Sequence, residues 1–402
     1  MNLLVVGNGF DLAHKLPTRY SDFLDFMSLY IDKVYDWRFN WQMFDEELHK
    51  LEYSALDNIL ADLKQFPKFN APVKKIFYDC TSLPLIGERE FYINDWLMYL
   101  LCVYSYRRSL ENPKYMWIDI EEEIKKLLMQ LDKTDSFFRK KTRLSVLAPY
   151  KSSNDNKPKT FYFNSLFSQI NRVQDIPDDK LKGEMINFLF RDLERLECLL
   201  KFYLNLVQSD FHMREKKFFN INTNFPYSIM IDHFISFNYT NISTIYLSEE
   251  QKSNIHYVNG DLGDDSKIIL GFENHDSNKT YEFCNNNIDS FCKTSQRVNY
   301  NMEYEYKKWI RICHDETYEK INTYIIGHSF ALSDKQILLD IIKQSDNVTI
   351  YCHSKDDNDN GDRQSKIANL KKILGENEFL ECVNNPVAKP CIRLKSQKEI
   401  EL

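Results

Sequence analysis

Gly7 and Gly9 follow directly on the apolar run Leu3-Leu4-Val5-Val6, and Asp11, His14 and Lys15 come within the next few residues. A glycine turn leaving a strand lets backbone N–H groups approach a phosphate with no side chain in the way. It serves equally as a tight strand-to-helix turn. Asn8 and Phe10 belong to the same turn. A second segment, Phe234-Ile235-Ser236-Phe237-Asn238-Tyr239-Thr240, ends a β-like run on an Asn. The Asn238 amide can bond a ribose hydroxyl, hold a water, or cap the next helix. In Ile255-His256-Tyr257-Val258-Asn259-Gly260-Asp261, strand alternation puts His256 and Val258 on one face and Tyr257 and Asn259 on the other. His256 therefore reads as a core histidine, away from the face of Asn259. The fourth segment, Tyr324-Ile325-Ile326-Gly327-His328-Ser329-Phe330 with Asp334, ends an apolar strand on small and polar groups. Open α/β sheets take ligands at such carboxyl ends. His328 could act there as a base or as a structural hydrogen-bonding residue.

These segments need a frame. Residues 2–6 leave no room for helical periodicity before the glycines and read as a buried strand. From Pro17 onward, Tyr20, Phe23, Leu24, Phe26 and Met27 recur at helical spacing, with Thr18 or Ser21 as caps. Residues 30–225 read as mainly helical: around Met43, Leu48 and Leu51, over 96–106, over 118–131 and over about 178–210. A polar loop is expected at 149–160. Beyond residue 228, β-like runs at 234–237, 255–258, 267–270, 323–326 and 348–352 alternate with segments that hold helices, notably 301–320 and 333–344. The fold class is therefore α/β. A mostly parallel sheet is built from residues 1–30 and about 228–375, interrupted by a helical insertion over 31–227 and followed by a tail at 376–402.

Composition narrows what this frame can do. A hydrophobic fraction of 43% excludes a disordered chain. The net charge of −7 gives no overall basic field, so nucleic acid is not the expected partner. The opening residues lack the charged and long apolar stretches of an export signal, and the uncharged run 96–106 falls short of the ~20 residues of a membrane span. Nine cysteines with no C-x-x-C pair fit a reducing compartment, so the expected location is the cytoplasm, away from membranes. Glycine is scarce, ten in all, yet Gly7, Gly9, Gly260, Gly271 and Gly327 all follow β-like runs, which ties them to close backbone approach. No metal is expected. Residues 356–362 look like half a calcium loop, but Ile367 stands where the bidentate Glu belongs. Cys284, Cys292, Cys313 and His314 lack zinc spacing.

Jointly, Gly7-x-Gly9-x-Asp11-x-x-x-Lys15-Leu16-Pro17 is similar in spacing to the sirtuin opening G-x-G-x-S-x-x-x-G-I-P. Asn238, Val258-Asn259-Gly260 and Gly327-His328-Ser329 follow in the order of the later sirtuin-like motifs. More closely, Gly7-Asn8-Gly9-Phe10-Asp11-Leu12 with Leu16-Pro17-Thr18-x-Tyr20-x-Asp22-Phe23 resembles the start of the AbiH family of phage abortive-infection proteins. Phe237-Asn238-Tyr239-Thr240, Gly260-Asp261-Leu262, Gly327-His328-Ser329-Phe330 and Trp117-Ile118-Asp119-Ile120-Glu121 resemble its other motifs. The resemblance implies a Rossmann-like, sirtuin-like sheet, a role in phage defence, and hydrolysis of NAD or a related nucleotide at the nicotinamide–ribosyl bond. It implies that Asn238 serves the reaction, with His328 and Asp11 as further catalytic candidates within matching motifs. Gly7, Asn8, Gly9, Phe10, Asn238, Asn259, Gly260, Gly327 and Ser329 would hold the nucleotide. Asn259 stands where the NAD-cleaving relatives carry a His, and Asn cannot take a proton near neutral pH, so Asp11, His14 or His328 must supply the base. The alternative is a catalytically weak module that senses a nucleotide such as ADP-ribose. A second copy of the chain or another defence component is the expected protein partner.

Overall fold

The computed structural model describes residues 1–34, 94–109, 118–132, 145–152, 155–162, 178–214, 230–273 and 288–398, apart from 243, 245–246, 248, 303, 318–319, 355–360, 386 and 388–389. The chain folds into two compact units. The first comprises Met1–Thr18, Leu204–Ile268 and Arg297–Leu402, the second Arg19–Tyr203 and Ile269–Gln296. The strands are β1 (Asn2–Val6), β2 (Ser145–Ser152), β3 (Asp155–Tyr162), β4 (His233–Ser236), β5 (Ile255–Tyr257), β6 (Asn322–Ile326), β7 (Asn347–Ser354) and β8 (Cys391–Lys398). The main helices are α1 (Asn8–Ala13), α2 (Tyr20–Val34), α3 (Asp95–Ser109), α4 (Ile120–Asp132), α5 (Asp178–Arg214), α6 (Lys293–Asn299), α7 (Glu305–Ile312), α8 (Lys335–Gln344), α9 (Gly361–Leu374) and α10 (Glu376–Asn384).

The first unit holds a six-stranded sheet, ordered β5-β4-β1-β6-β7-β8 and parallel throughout. Counted within the sheet, this is the 3-2-1-4-5-6 order of Rossmann sheets, and its progression reverses at β1. The fold is Rossmann-like α/β. β1 is central, so Leu3, Leu4, Val5 and Val6 are all fully buried, which explains an unbroken apolar run in place of alternation. Ile337, Leu338, Ile341 and Ile342 of α8 repeat at helical spacing and join the core of Ile235, Ile325, Val348 and Ile350.

Three expectations are corrected. Residues 267–270 form no strand: the Leu270 carbonyl accepts from the Gln296 side chain, and the one bridge nearby is Phe272 with Cys292. The segment 149–160 is largely an antiparallel β2–β3 hairpin, because a hairpin satisfies its backbone by its own ladder whatever its side chains. The 376–402 segment is no mere tail. It supplies α10 and the edge strand β8, which pairs with β7 over its whole length and buries Phe379, Cys382 and Ile392. The helix expected around Met43, Leu48 and Leu51, the calcium-like loop at 356–360, Cys284 and Trp117 lie outside the described residues.

In the second unit, Phe23 and Phe26 of α2 lie against Tyr203 of α5, and Trp96 of α3 meets Phe291 edge-on while its Nε1 donates to Leu189 O. Glu121 of α4 forms a buried ion pair with Lys293 of α6 at 2.8 Å. Among the described residues no helix is long and apolar enough to cross a membrane.

Candidate functional site

Val6 and Ile326 are register partners on adjacent strands, so the turns after β1 and β6 meet. Gly7 N–H donates to Ile326 O (3.0 Å), Gly9 N–H to Gly327 O (2.8 Å) and Phe10 N–H to Gly7 O (2.8 Å). A Cβ on Gly7 would stand 2.8 Å from His328 Cα, and one on Gly327, whose φ is +67, would stand 2.1 Å from Phe10 N. The glycines let two backbones touch, and Gly327 also supplies a left-handed turn. Three of the amides expected to meet a phosphate thus already have carbonyl partners. Asn8 closes the following loop: its Oδ1 accepts from Thr18 Oγ1 (2.6 Å) and its Nδ2 donates to Thr18 O (3.2 Å).

Helix α1 turns Asp11 inward to 1% exposure, beside the carboxyl end of β4. Thr240 Oγ1 donates to Asp11 Oδ2 (2.6 Å), and Asn238 Nδ2 donates to Asp11 Oδ1 (2.9 Å) and to Gly7 O (3.1 Å). The Asn238 main chain is fixed by Ser236, whose Oγ accepts from Asn238 N–H and donates to Asn238 O. Asn238 is 6% exposed, and its Oδ1 is buried without a hydrogen-bond partner. Burial pushes the Asp11 carboxyl up to about 7, against the lowering effect of its two donors. Tyr257, ending β5, is raised by burial and by the Asp261 and Asp11 carboxylates. His14 is lowered by burial, and its Nδ1 lies 2.7 Å from Phe10 O, so the neutral ring donates there.

His328 is buried between the rings of Phe237 and Phe330. Its Nδ1 accepts from Phe330 N–H (2.9 Å), which puts the proton of the neutral ring on Nε2, 3.5 Å from Asp334 Oδ2. Phe330 itself is held at φ 59, in the left-handed region. Asn259 Nδ2 donates to Phe237 O (3.2 Å), and its Oδ1 accepts from Arg297 Nη2 (2.9 Å), while Arg297 Nε donates to Val258 O (3.2 Å). Gly260 turns at φ +80, where a Cβ would stand 1.9 Å from Lys267 O. Ser329 is exposed, and its carbonyl accepts from Asn369. His256 is a core residue near the Tyr306 ring, lowered to about 4 by burial and Arg297.

The structure thus brings Gly7, Gly9, Phe10, Asp11, Asn238, Gly327 and His328 together at the ends of β1, β4 and β6, with Asn259 and Gly260 one strand further on. Sequence reading places Thr240 within the Asn238 motif but gives it no role, which the bond to Asp11 supplies. It misses Arg297, which carries no motif. Among the described residues no three His, Cys, Asp or Glu side chains cluster as a metal site would require.

Residues 3–353 match the family model described as Bacteriophage abortive infection AbiH, a span that covers most of the chain. No curated protein and no solved structure matches it.

Proposed function

This chain belongs to the AbiH family, Bacteriophage abortive infection, and from that premise we propose that it defends against phage by hydrolysing NAD or a related nucleotide at the ribosyl bond. One observation carries the reading: the buried Asp11–Asn238–Thr240 cluster at the carboxyl edge of a Rossmann-order sheet. A carboxyl held near neutrality is a far stronger base than an ordinary Asp while remaining substantially ionised at pH 7. In the reaction a water oxygen bonds to C1′ and its proton passes to Asp11. The C1′–N bond breaks with its electron pair left on the nicotinamide nitrogen, which departs neutral. Asn238 Nδ2 and Thr240 orient the carboxylate, and Asn238 Oδ1 accepts from water or a ribose hydroxyl. His328 locks the β6 turn, and Asn259 positions Arg297.

Purified protein incubated with NAD, assayed for nicotinamide, tests this beside Asn238→Ala. Release by the wild type with a loss of at least ~10²-fold in the variant supports it. Equal rates, or no release even by protein taken from phage-infected cells, remove the enzyme reading.

A second reading rests on the engagement of both His328 nitrogens and of the whole Asn259 amide within the protein. It makes the site a sensor of a nucleotide such as ADP-ribose. Tight binding in calorimetry without turnover would select it.

A further inference from the structure

We infer that the ligand presents a sugar hydroxyl, and not a phosphate, to the turn after β1; this rests on the reading of the site as a nucleotide site. Sheets of this strand order normally hold a pyrophosphate on the amides of their first βα turn. In this chain Gly7, Gly9 and Phe10 N–H already donate to the Ile326, Gly327 and Gly7 carbonyls, respectively. α1 is only six residues long and carries Asp11 on its inner side. An anion at the turn would therefore meet a carboxylate and engaged amides.

The atom that asks for a partner has the opposite character. Both neighbours of Asn238 Nδ2, the Gly7 carbonyl and the Asp11 carboxylate, are acceptors. Turning the amide over would set Oδ1 against both, so its orientation is forced. Oδ1 is left buried and unpartnered. A buried acceptor without a donor is costly, and a hydroxyl can supply the hydrogen that an ionised phosphate oxygen lacks. At the sugar of a nucleotide, that donor is a ribose hydroxyl.

Calorimetry on the full chain with uncleavable probes tests this: carba-NAD, its counterpart lacking the 2′ and 3′ hydroxyls of the nicotinamide-bearing ring, and the phosphate-free carba-riboside. Deleting the hydroxyls is expected to weaken binding by ~10-fold or more, the size of one good hydrogen bond. Asp11→Asn is expected to change the affinities of carba-NAD and the carba-riboside by the same factor. Equal binding of the deoxy probe overturns the inference, as does a gain in Asp11→Asn confined to the phosphate-bearing probe. The wild-type series decides on its own if the variant fails to fold. Binding without turnover in the NAD assay sinks hydrolysis and leaves this inference standing, whereas no binding of any probe sinks both.

Discussion

Asn238 Nδ2 donates to Asp11 Oδ1 across 2.9 Å, although 227 positions separate the two residues. That bond ties the turn after β1 to the turn after β4. It also gives the buried carboxylate one of the two side-chain donors that make its ionised form tolerable.

The first prediction concerns pH. Burial raises Asp11 from 3.8 to about 7, so between those values the folded protein holds a proton that the unfolded chain has released. This group's stabilising contribution is complete below the unfolded value and is lost as pH rises through the folded one. Urea unfolding of wild type and Asp11→Asn at about pH 4.5 and about pH 7.5 should show the variant gaining on the wild type, by on the order of a few kcal/mol. Asp22, raised to about 6, titrates in both proteins and cancels. A gap that stays constant with pH would contradict the account.

Gly327 and Gly375 form a controlled pair. Both have positive φ, but a Cβ on Gly327 meets Phe10 N and Gly9 C, whereas one on Gly375 meets nothing within 4 Å. Gly375→Ala should cost ~1–3 kcal/mol for backbone strain alone, because φ 92 with ψ 149 is a conformation that side-chain-bearing residues rarely adopt. Gly327→Ala should cost more than ~3 kcal/mol, because backbone must move. Similar denaturation midpoints for the two variants would mean that the β1 and β6 turns do not pack as described.

Asn259→His places an imidazole in the turn after β5, yet it should create no new activity. The imidazole would take the place of an amide that accepts from Arg297 and donates to Phe237 O. A nearby guanidinium disfavours the protonated ring and occupies its lone pair. The variant should lose ~1–3 kcal/mol of stability, with nicotinamide release no higher than wild type. A rise in rate would show that the position faces the reacting bond.

In the second unit, Lys293 and Glu121 provide a test of packing. Lys293→Met removes the cation that pairs with the buried Glu121 carboxylate at 2.8 Å and should cost ~3–5 kcal/mol. The double variant Lys293→Met, Glu121→Leu should recover much of that loss. A double-mutant cycle by urea unfolding with no coupling between the positions would rule the pair out.

Much of the sheet could be read from the chain. Leu3 to Val6 showed a central strand because both faces are covered, and the four segments that end in glycine or Asn all reach carboxyl ends of strands. What stayed hidden depends on long-range neighbours. β8 alternates Arg393 and Lys395 with apolar residues, as an edge strand does, and only β7 beside it makes that pattern a strand. Pro149 and Pro158 disguised the hairpin as a loop. Motif spacing could not show that the Gly7 and Gly9 amides are occupied, because their partners, Ile326 and Gly327, come from the distant end of β6. Thr240 and Arg297 likewise gain meaning only beside Asp11 and Asn259.

The most direct measurement is the pH profile of nicotinamide release from NAD by wild type and Asp11→Asn. The rate should climb to a plateau as pH passes about 7, and the variant should fall by ~10²-fold or more across the range. A variant as fast as the wild type, or a wild-type rate indifferent to pH, would show that the Asp11 carboxyl takes no proton in the reaction.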